Sequence, residues 1–354
     1  MTTMKSICMR EGEIILNEID IPKPKSGQVL VKSLACGICG SDLHITRHGD
    51  EVFDIYKKLG VMSDVAGAST DIMLGHEFAA EVVSFGANTK GNIAIGTRVT
   101  CVPLLMSQGG VGIGVTPGVH GAYSEYFIVD EALLLPIPET VSSAAAALTE
   151  PLAVGLHAVN RSEIKTEDIA LVAGCGSIGL AAIAALRIRG VKHIIASDPQ
   201  ENKRKVAQQF GATHTVDPIQ MDEVAFAAKL AGENRVVIFE CVGVHQLINS
   251  FIVRAPMRAT LVITGIHTAD TQVNFGYATV KEMDIKCSYY YKPEEFAESL
   301  QNIADDKVDW QKMCTGKVGI DGVTEAIGTL LKPNDHIKVI IEPWRNGSLM
   351  QVGK

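Results

Sequence analysis

The sequence predicts a two-domain α/β protein, a mostly β region followed by a doubly wound parallel-sheet region. Three observations predict it. The chain has 354 residues, long for a single core. Up to about residue 150, short apolar runs of strand length are punctuated by glycine and proline. From residue 152 strands and helices alternate, the rhythm of a parallel sheet covered on both faces.

In the first region, 28–34, 78–85, 98–102 and 123–129 read as strands. Residues 49–73 show no clear period and carry several Asp and Gly, so they read as a long loop or a short helical excursion. Residues 106–121 are rich in glycine and read as a flexible surface segment with little regular structure. In the second region, 169–173 is a short apolar strand, 178–189 an alanine-rich helix, 193–197 a second strand and 201–210 a polar helix. Two further strands fall at 236–240 and 260–265. The alternation fades near Tyr291, and the tail holds helices at 294–304 and near 323–331 and a final strand at 337–342.

Composition narrows the function. Hydrophobic residues are 47% and charged residues 20%, consistent with a large buried core. No apolar run approaches the ~18–20 residues that span a bilayer. The first twenty-odd residues carry a charge every few positions, unlike a signal or transit peptide, which favours the cytoplasm. The net charge of −8, without a basic stripe, argues against nucleic acid as a partner. Cys8, Cys36, Cys39, Cys101, Cys175, Cys241, Cys287 and Cys314 are scattered, mostly in apolar runs. They read as reduced thiols with one or two metal ligands among them, not as a disulfide framework.

Gly174-Cys175-Gly176-Ser177-Ile178-Gly179 follows the strand 169–173 and opens a helix. GxGxxG in that setting is a Rossmann dinucleotide fingerprint. The first glycine makes the turn, the second admits the pyrophosphate, and the third lets helix and strand pack closely. The helix N-terminus attracts phosphate. Asp198, about 20 residues on at the end of the second strand, is placed to accept from the ribose hydroxyls and to repel a 2′-phosphate, which selects NAD over NADP. The same Asp could also cap the helix that follows.

Cys36-Gly-Ile-Cys39-Gly-Ser41-Asp42-Leu-His44 and Gly75-His76-Glu77 form a second constellation. By spacing alone, CxxC beside Asp and His is either a zinc ligand pair or a redox dithiol. With no second CxxC and no HxxxH, scattered ligands with an open position fit a catalytic zinc better than a structural one. His76 alone reads equally well as a satisfied core histidine.

CGICGSDLH, then GHE, then a dinucleotide fingerprint about 100 residues later resembles the zinc-dependent medium-chain dehydrogenases/reductases, over nearly the whole chain. The resemblance implies a GroES-like catalytic domain (1–151 and 291–354) around an NAD-binding Rossmann domain (152–290). It implies Cys39 and His76 as zinc ligands and Glu150, in Thr149-Glu150-Pro151, as the third, directly or through water. Glu77 matches a residue beside the metal that sometimes joins its shell, and Asp42 matches the carboxylate that orients the histidine. Cys36 matches no ligand and reads as a small buried residue. Ser41 and His44 match a proton relay from the substrate oxygen through the cofactor ribose. Lys203 matches a lysine on the adenosine ribose, Val154 a residue against the nicotinamide, and Thr264, Gly265 and Ile266 the strand end whose backbone meets the carboxamide. Lys338 matches a basic residue approaching the pyrophosphate.

The implied activity is hydride transfer between NAD and an alcohol or ketone, with zinc as Lewis acid on the substrate oxygen. Relatives with a structural zinc carry four closely spaced cysteines after the strand 98–102. Here only Cys101 is present, so one catalytic zinc per subunit is expected. Sorbitol-type relatives place Arg-Tyr where this chain has Tyr289-Tyr290-Tyr291, and loss of the arginine favours a less hydroxylated, secondary alcohol. A polyol or 2,3-butanediol dehydrogenase is the alternative enzyme, and a non-catalytic NAD(H)-binding protein the alternative class. The family's homodimers or homotetramers are implied too.

Overall fold

The computed structural model of the chain describes residues 2–60 and 70–352. It divides into two compact units, Met1–Glu150 with Trp310–Lys354, and Pro151–Asp309.

In the first unit, one eight-stranded sheet runs in the order Leu134–Pro136, Arg98–Cys101, Glu77–Phe85, Gln28–Gly37, Lys338–Glu342, Cys314–Gly319, Met350–Gln351, and Tyr126–Asp130 also pairs with Gln28–Gly37. Gln28–Gly37 is the centre of this unit, pairing antiparallel with three other strands. It is buried nearly throughout, so it reads as a continuous apolar run where a half-exposed strand would alternate. A smaller sheet joins the hairpin Thr3–Arg10 and Glu13–Asp20 to Ile72–Met73. Val29, Val31, Phe78, Phe127, Val318 and Val339 belong to the core between these elements.

Of the two readings left open for 49–73, the helical one holds at its start: Gly40–Lys58 is a single α-helix with a kink at His48, while 61–69 lie outside the described residues. Its pattern is obscured because Gly49 and Asp50 sit inside the helix. The glycine-rich segment 106–121 is not a loose surface loop. Leu104–Leu105 pairs with Val111–Gly112, and Ile113 and Val119 are buried. A Cβ on Gly114 would lie 2.2 Å from the Gly75 carbonyl oxygen. Glycine there permits close backbone approach, not motion.

The second unit holds a six-stranded, all-parallel sheet. Its strands in chain order are Ile169–Ala173, His193–Ser197, His214–Val216, Val236–Glu240, Thr260–Ile263 and Asp284–Cys287. Their spatial order is third, second, first, fourth, fifth, sixth. This is the doubly wound dinucleotide order, whose switch point lies between the first and fourth strands. The first strand is wholly buried, as a strand covered on both faces must be. The unit boundary is a second correction: the helix Pro293–Ala304 belongs to this unit, so the return to the first unit falls near residue 310 and not 291. Glu295 explains it, accepting from Asn160 at 2.8 Å and lying 2.7 Å from His157 Nδ1 on the helix Thr149–Ser162.

Candidate active site: a metal centre and a dinucleotide cradle

In the first unit the chain turns out of the central strand at Gly37 and enters the helix Gly40–Lys58, with Cys39 at its N-cap. Asp42, in the first turn, accepts the Cys39 N–H at 3.0 Å, which fixes the entry of the chain. On the other side Gly75 adopts φ +107° just before His76 and Glu77. A Cβ on Gly75 would sit 2.6 Å from the Tyr123 nitrogen, so only glycine makes this turn. The two turns bring Cys39, His76 and Glu77 together: one ligand atom from each lies within 4.8 Å of the others, the one such group found among the described residues. Cys36, three residues earlier on the strand, is buried with its thiol 3.7 Å from the Gly37 carbonyl, and burial pushes that thiol well up. The CxxC is therefore not one pair: strand pleat and helix cap send its two cysteines to different places.

Asp42 stands behind His76. Its Oδ1 is 3.7 Å from His76 Nδ1, and both atoms are buried without a hydrogen-bond partner. Its Oδ2 accepts the Tyr123 hydroxyl at 2.6 Å. Burial pushes the Asp42 carboxyl up, against the pull of His76, Tyr123 and the Cys39 N–H. Burial works against a charged imidazole at His76, but Asp42 and then Cys39 outweigh it and raise its pKa well above the ordinary histidine range. Glu150, also buried, adds to the same field. Thiol, imidazole and carboxylates around one point thus attract a cation. With Nδ1 turned to Asp42, the other ring nitrogen is left for a metal, the usual carboxylate–histidine–zinc order. Sulfur, nitrogen and oxygen donors of this kind fit zinc.

Lys338 corrects the sequence reading. It is 1% exposed, and its ammonium donates to both Glu77 oxygens at 2.7 Å and to the Ile38 carbonyl at 3.0 Å. All three of its protons are used, so no free amine remains for a pyrophosphate. Burial alone would depress its pKa, but Glu77 overrides this and keeps it raised. Gly37 belongs to the same arrangement: a Cβ there would fall 2.0 Å from Glu77 Oε2. Ser41 and His44 follow Cys39 on the helix, one turn apart and partly buried, and the His44 ring lies 4.9 Å from that of His48.

In the second unit the fingerprint turn follows the first strand. Gly174 has φ +92°, and a Cβ on Gly179 would come within 1.9 Å of the Gly174 carbonyl oxygen. A Cβ on Gly176 would meet nothing within 4 Å, so that glycine keeps open the space a pyrophosphate takes up. No side chain caps the helix Ser177–Ile188, which leaves the Ser177 and Ile178 amides for an anion. Asp198 is 7% exposed; its Oδ2 accepts the Cys175 N–H at 2.9 Å and its Oδ1 that of Gln200 at 2.9 Å. It therefore ties the fingerprint turn to the next helix and has lone pairs to spare. Arg204 donates to the Asp198 and Pro199 carbonyls and lies 3.5 Å from Asp217. Lys203 is partly exposed on the same helix, as is Val154 on its own, while Thr264, Gly265 and Ile266 lead out of the fifth strand.

Tyr123, Gly37 and the Lys338–Glu77 pair escaped sequence reasoning. The glycine before His76 was a usable signal, but nothing near Tyr123 or Lys338 in the sequence marks its partner.

Residues 25–139 match the family model of the alcohol dehydrogenase GroES-like domain, and 177–305 that of zinc-binding dehydrogenase. The chain is 32% identical to (R,R)-butanediol dehydrogenase of Bacillus subtilis (strain 168), over 94% of this chain and 97% of that one. The crystal structure of 2R,3R-butanediol dehydrogenase from Bacillus subtilis superposes with a TM-score of 0.81 at 30% identity, covering 96% and 99% of the two chains. A structure from Sinorhizobium meliloti 1021, described as a zinc-binding dehydrogenase bound to NADP, gives 0.81 at 27% identity, covering 97% and 100%. The chain belongs to the zinc-dependent medium-chain dehydrogenases/reductases. It is an oxidoreductase that uses zinc and a nicotinamide cofactor on secondary alcohols. No helix among the described residues is long and apolar enough to cross a membrane.

Proposed function

We propose that the protein is an NAD-linked dehydrogenase of small secondary alcohols and vicinal diols, with one zinc per subunit held by Cys39, His76 and Glu150, and Glu77 alongside. The observation that carries the reading is the convergence of half-buried Cys39 with His76 and Glu77, with Asp42 set behind the histidine. When bound, zinc supplies Lewis acidity to the substrate oxygen, and the nicotinamide takes up or gives the hydride. The Asp42 carboxylate, 3.7 Å from His76 Nδ1, favours a proton on that nitrogen and so leaves the other for the metal, and Tyr123 holds Asp42. Lys338 neutralises Glu77 and keeps it available beside the metal. Ser41 accepts the substrate proton and passes it toward His44.

Preference for NAD rests on Asp198. The Sinorhizobium relative is an NADP complex, and Lys203 and Arg204 could serve a 2′-phosphate. Arg204, however, is bound to main-chain carbonyls, whereas a carboxylate at the end of the second strand of a dinucleotide fold, here Asp198, would repel a 2′-phosphate. The diol reading rests on similarity to the butanediol dehydrogenase and on Tyr290 in place of the arginine of sorbitol-type relatives. The open edge strand Asp284–Cys287, beside exposed Phe275 and Val280, is where a second subunit would add its own sheet, giving a homodimer or homotetramer. The test is steady-state kinetics with NAD and NADP on 2,3-butanediol, 2-butanol, sorbitol and xylitol, with zinc measured per chain. A tenfold preference for NADP, or sorbitol as the best substrate, overturns the corresponding part.

A further inference from the structure

At the carboxyl end of the parallel sheet, Glu240 closes the fourth strand and is completely buried. No Lys or Arg pairs with it among the described residues. A buried carboxylate is costly unless its lone pairs are filled. Here they are filled by two loops. Oε1 accepts the Val242 N–H at 2.8 Å and the Gly243 N–H at 2.7 Å, while Oε2 faces His267 Nε2 at 3.1 Å. The Glu240 carbonyl also accepts from Thr264, through N–H at 3.1 Å and hydroxyl at 2.6 Å.

These contacts reach both halves of the dinucleotide site. A Cβ on Gly174, the first fingerprint glycine, would lie 3.0 Å from the Cys241 carbonyl and from Val242. A Cβ on Gly265 would lie 2.7 Å from Gly243 Cα and 3.0 Å from Glu240 Oε2. Residues 241–243 are thus wedged between the phosphate-binding turn and the loop after the fifth strand. The bonds of Thr264 to the Glu240 carbonyl fix only the root of that loop. Beyond it, His267 supplies the side-chain bond that returns the loop to Glu240, and its side chain is 11% exposed.

We propose that His267, acting through Glu240, is a positioning residue for the nicotinamide half of the cofactor site. It latches Thr264, Gly265 and Ile266 in the conformation that receives the carboxamide. The inference rests on the reading of those three residues as the carboxamide contact. It assigns His267 no role in proton or hydride transfer.

The test compares the zinc-loaded wild type with His267→Ala and His267→Gln. Binding of NADH is followed by fluorescence, and ADP-ribose, which lacks the nicotinamide, by competition. NADPH and 2′-phospho-ADP-ribose replace them if kinetics favour NADP. A bond to a carboxylate of this kind corresponds to about a tenfold effect. His267→Ala should raise the NADH Kd by that order and leave ADP-ribose binding unchanged. His267→Gln, which keeps a donor, should recover most of the loss. Equal weakening of both ligands, or no weakening of NADH, overturns the latch. If the wild type itself binds NADH no tighter than ADP-ribose, the carboxamide reading falls and the latch with it. Should the alanine variant not fold, His267→Phe, which fills the space without donating, is read in the same way.

Discussion

The metal centre and the dinucleotide cradle are built on opposite principles. Around Cys39 and His76 the protein buries charge: Asp42, Glu77, Glu150 and Lys338 are all out of water, and each is held by a partner. Around Gly174–Gly179 it removes side chains, and the ligand is to be met by backbone amides and open space. The first design is fragile to loss of a single group, because any removal leaves another charge uncompensated. The second is graded, because each contact is a separate and partly solvated hydrogen bond.

The sharpest contrast is expected at the cysteines. Cys39→Ser should remove zinc and activity together, since thiolate is the soft ligand, while Cys36→Ser keeps both. Metal analysis and turnover measured on the same samples check this. The reverse pattern would mean that the strand cysteine is the ligand.

Lys338→Met should destabilise the protein by about 3–5 kcal/mol, because Glu77 is left charged and buried. Adding Glu77→Gln should restore much of that loss, as seen by thermal unfolding of metal-free protein. Because Lys338 is raised above its ordinary value, its contribution holds across neutral pH and is lost only as pH climbs through the raised value. A single variant with unchanged stability would place Lys338 outside the buried charge set.

On the nucleotide side, Asp198→Ala should weaken NAD by about 1.5–3 kcal/mol, roughly ten- to a hundred-fold, and NADP far less. Titration of both cofactors decides it, and parallel losses would show that Asp198 serves only to order the fingerprint turn. The glycines then separate fold from ligand. Gly179→Ala meets the Gly174 carbonyl and should cost about 1–3 kcal/mol in stability. Gly176→Ala meets no protein atom and should leave stability alone while weakening the dinucleotide. The mildest effect belongs to Ser41→Ala and His44→Ala. Zinc content and cofactor affinity should hold while turnover falls, most at low pH, where deprotonating the alcohol is hardest. Unchanged pH–rate profiles in both would retire the relay.

The parallel-sheet unit was legible because its signals are local. The strand 169–173, the fingerprint and the helix after it are contiguous, and the strands 193–197 and 236–240 match the structure at both ends. The three-residue strand His214–Val216 and the half-exposed edge strand Asp284–Cys287 were missed, being too short or too polar to show a period. In the first unit the glycine-rich stretch misled, because a glycine chosen for close approach looks the same in sequence as one chosen for a loose loop.

By itself, then, the sequence determined the two-part α/β architecture and the fingerprint turn, while the candidate metal ligands came from resemblance to the family and not from spacing. The architecture and the turn are fixed by spacing within a few residues or by a run of local propensity. Only the tertiary structure decided which residues neutralise one another. Glu77 meets Lys338 across 261 positions of chain, and Asp42 meets Tyr123 across 81. A charge separated that far from its counter-charge has no local pattern to reveal it. Only the pairing of distant strands, driven by the burial of their apolar faces, brings the two together and fixes Lys338 on a carboxylate at the metal centre.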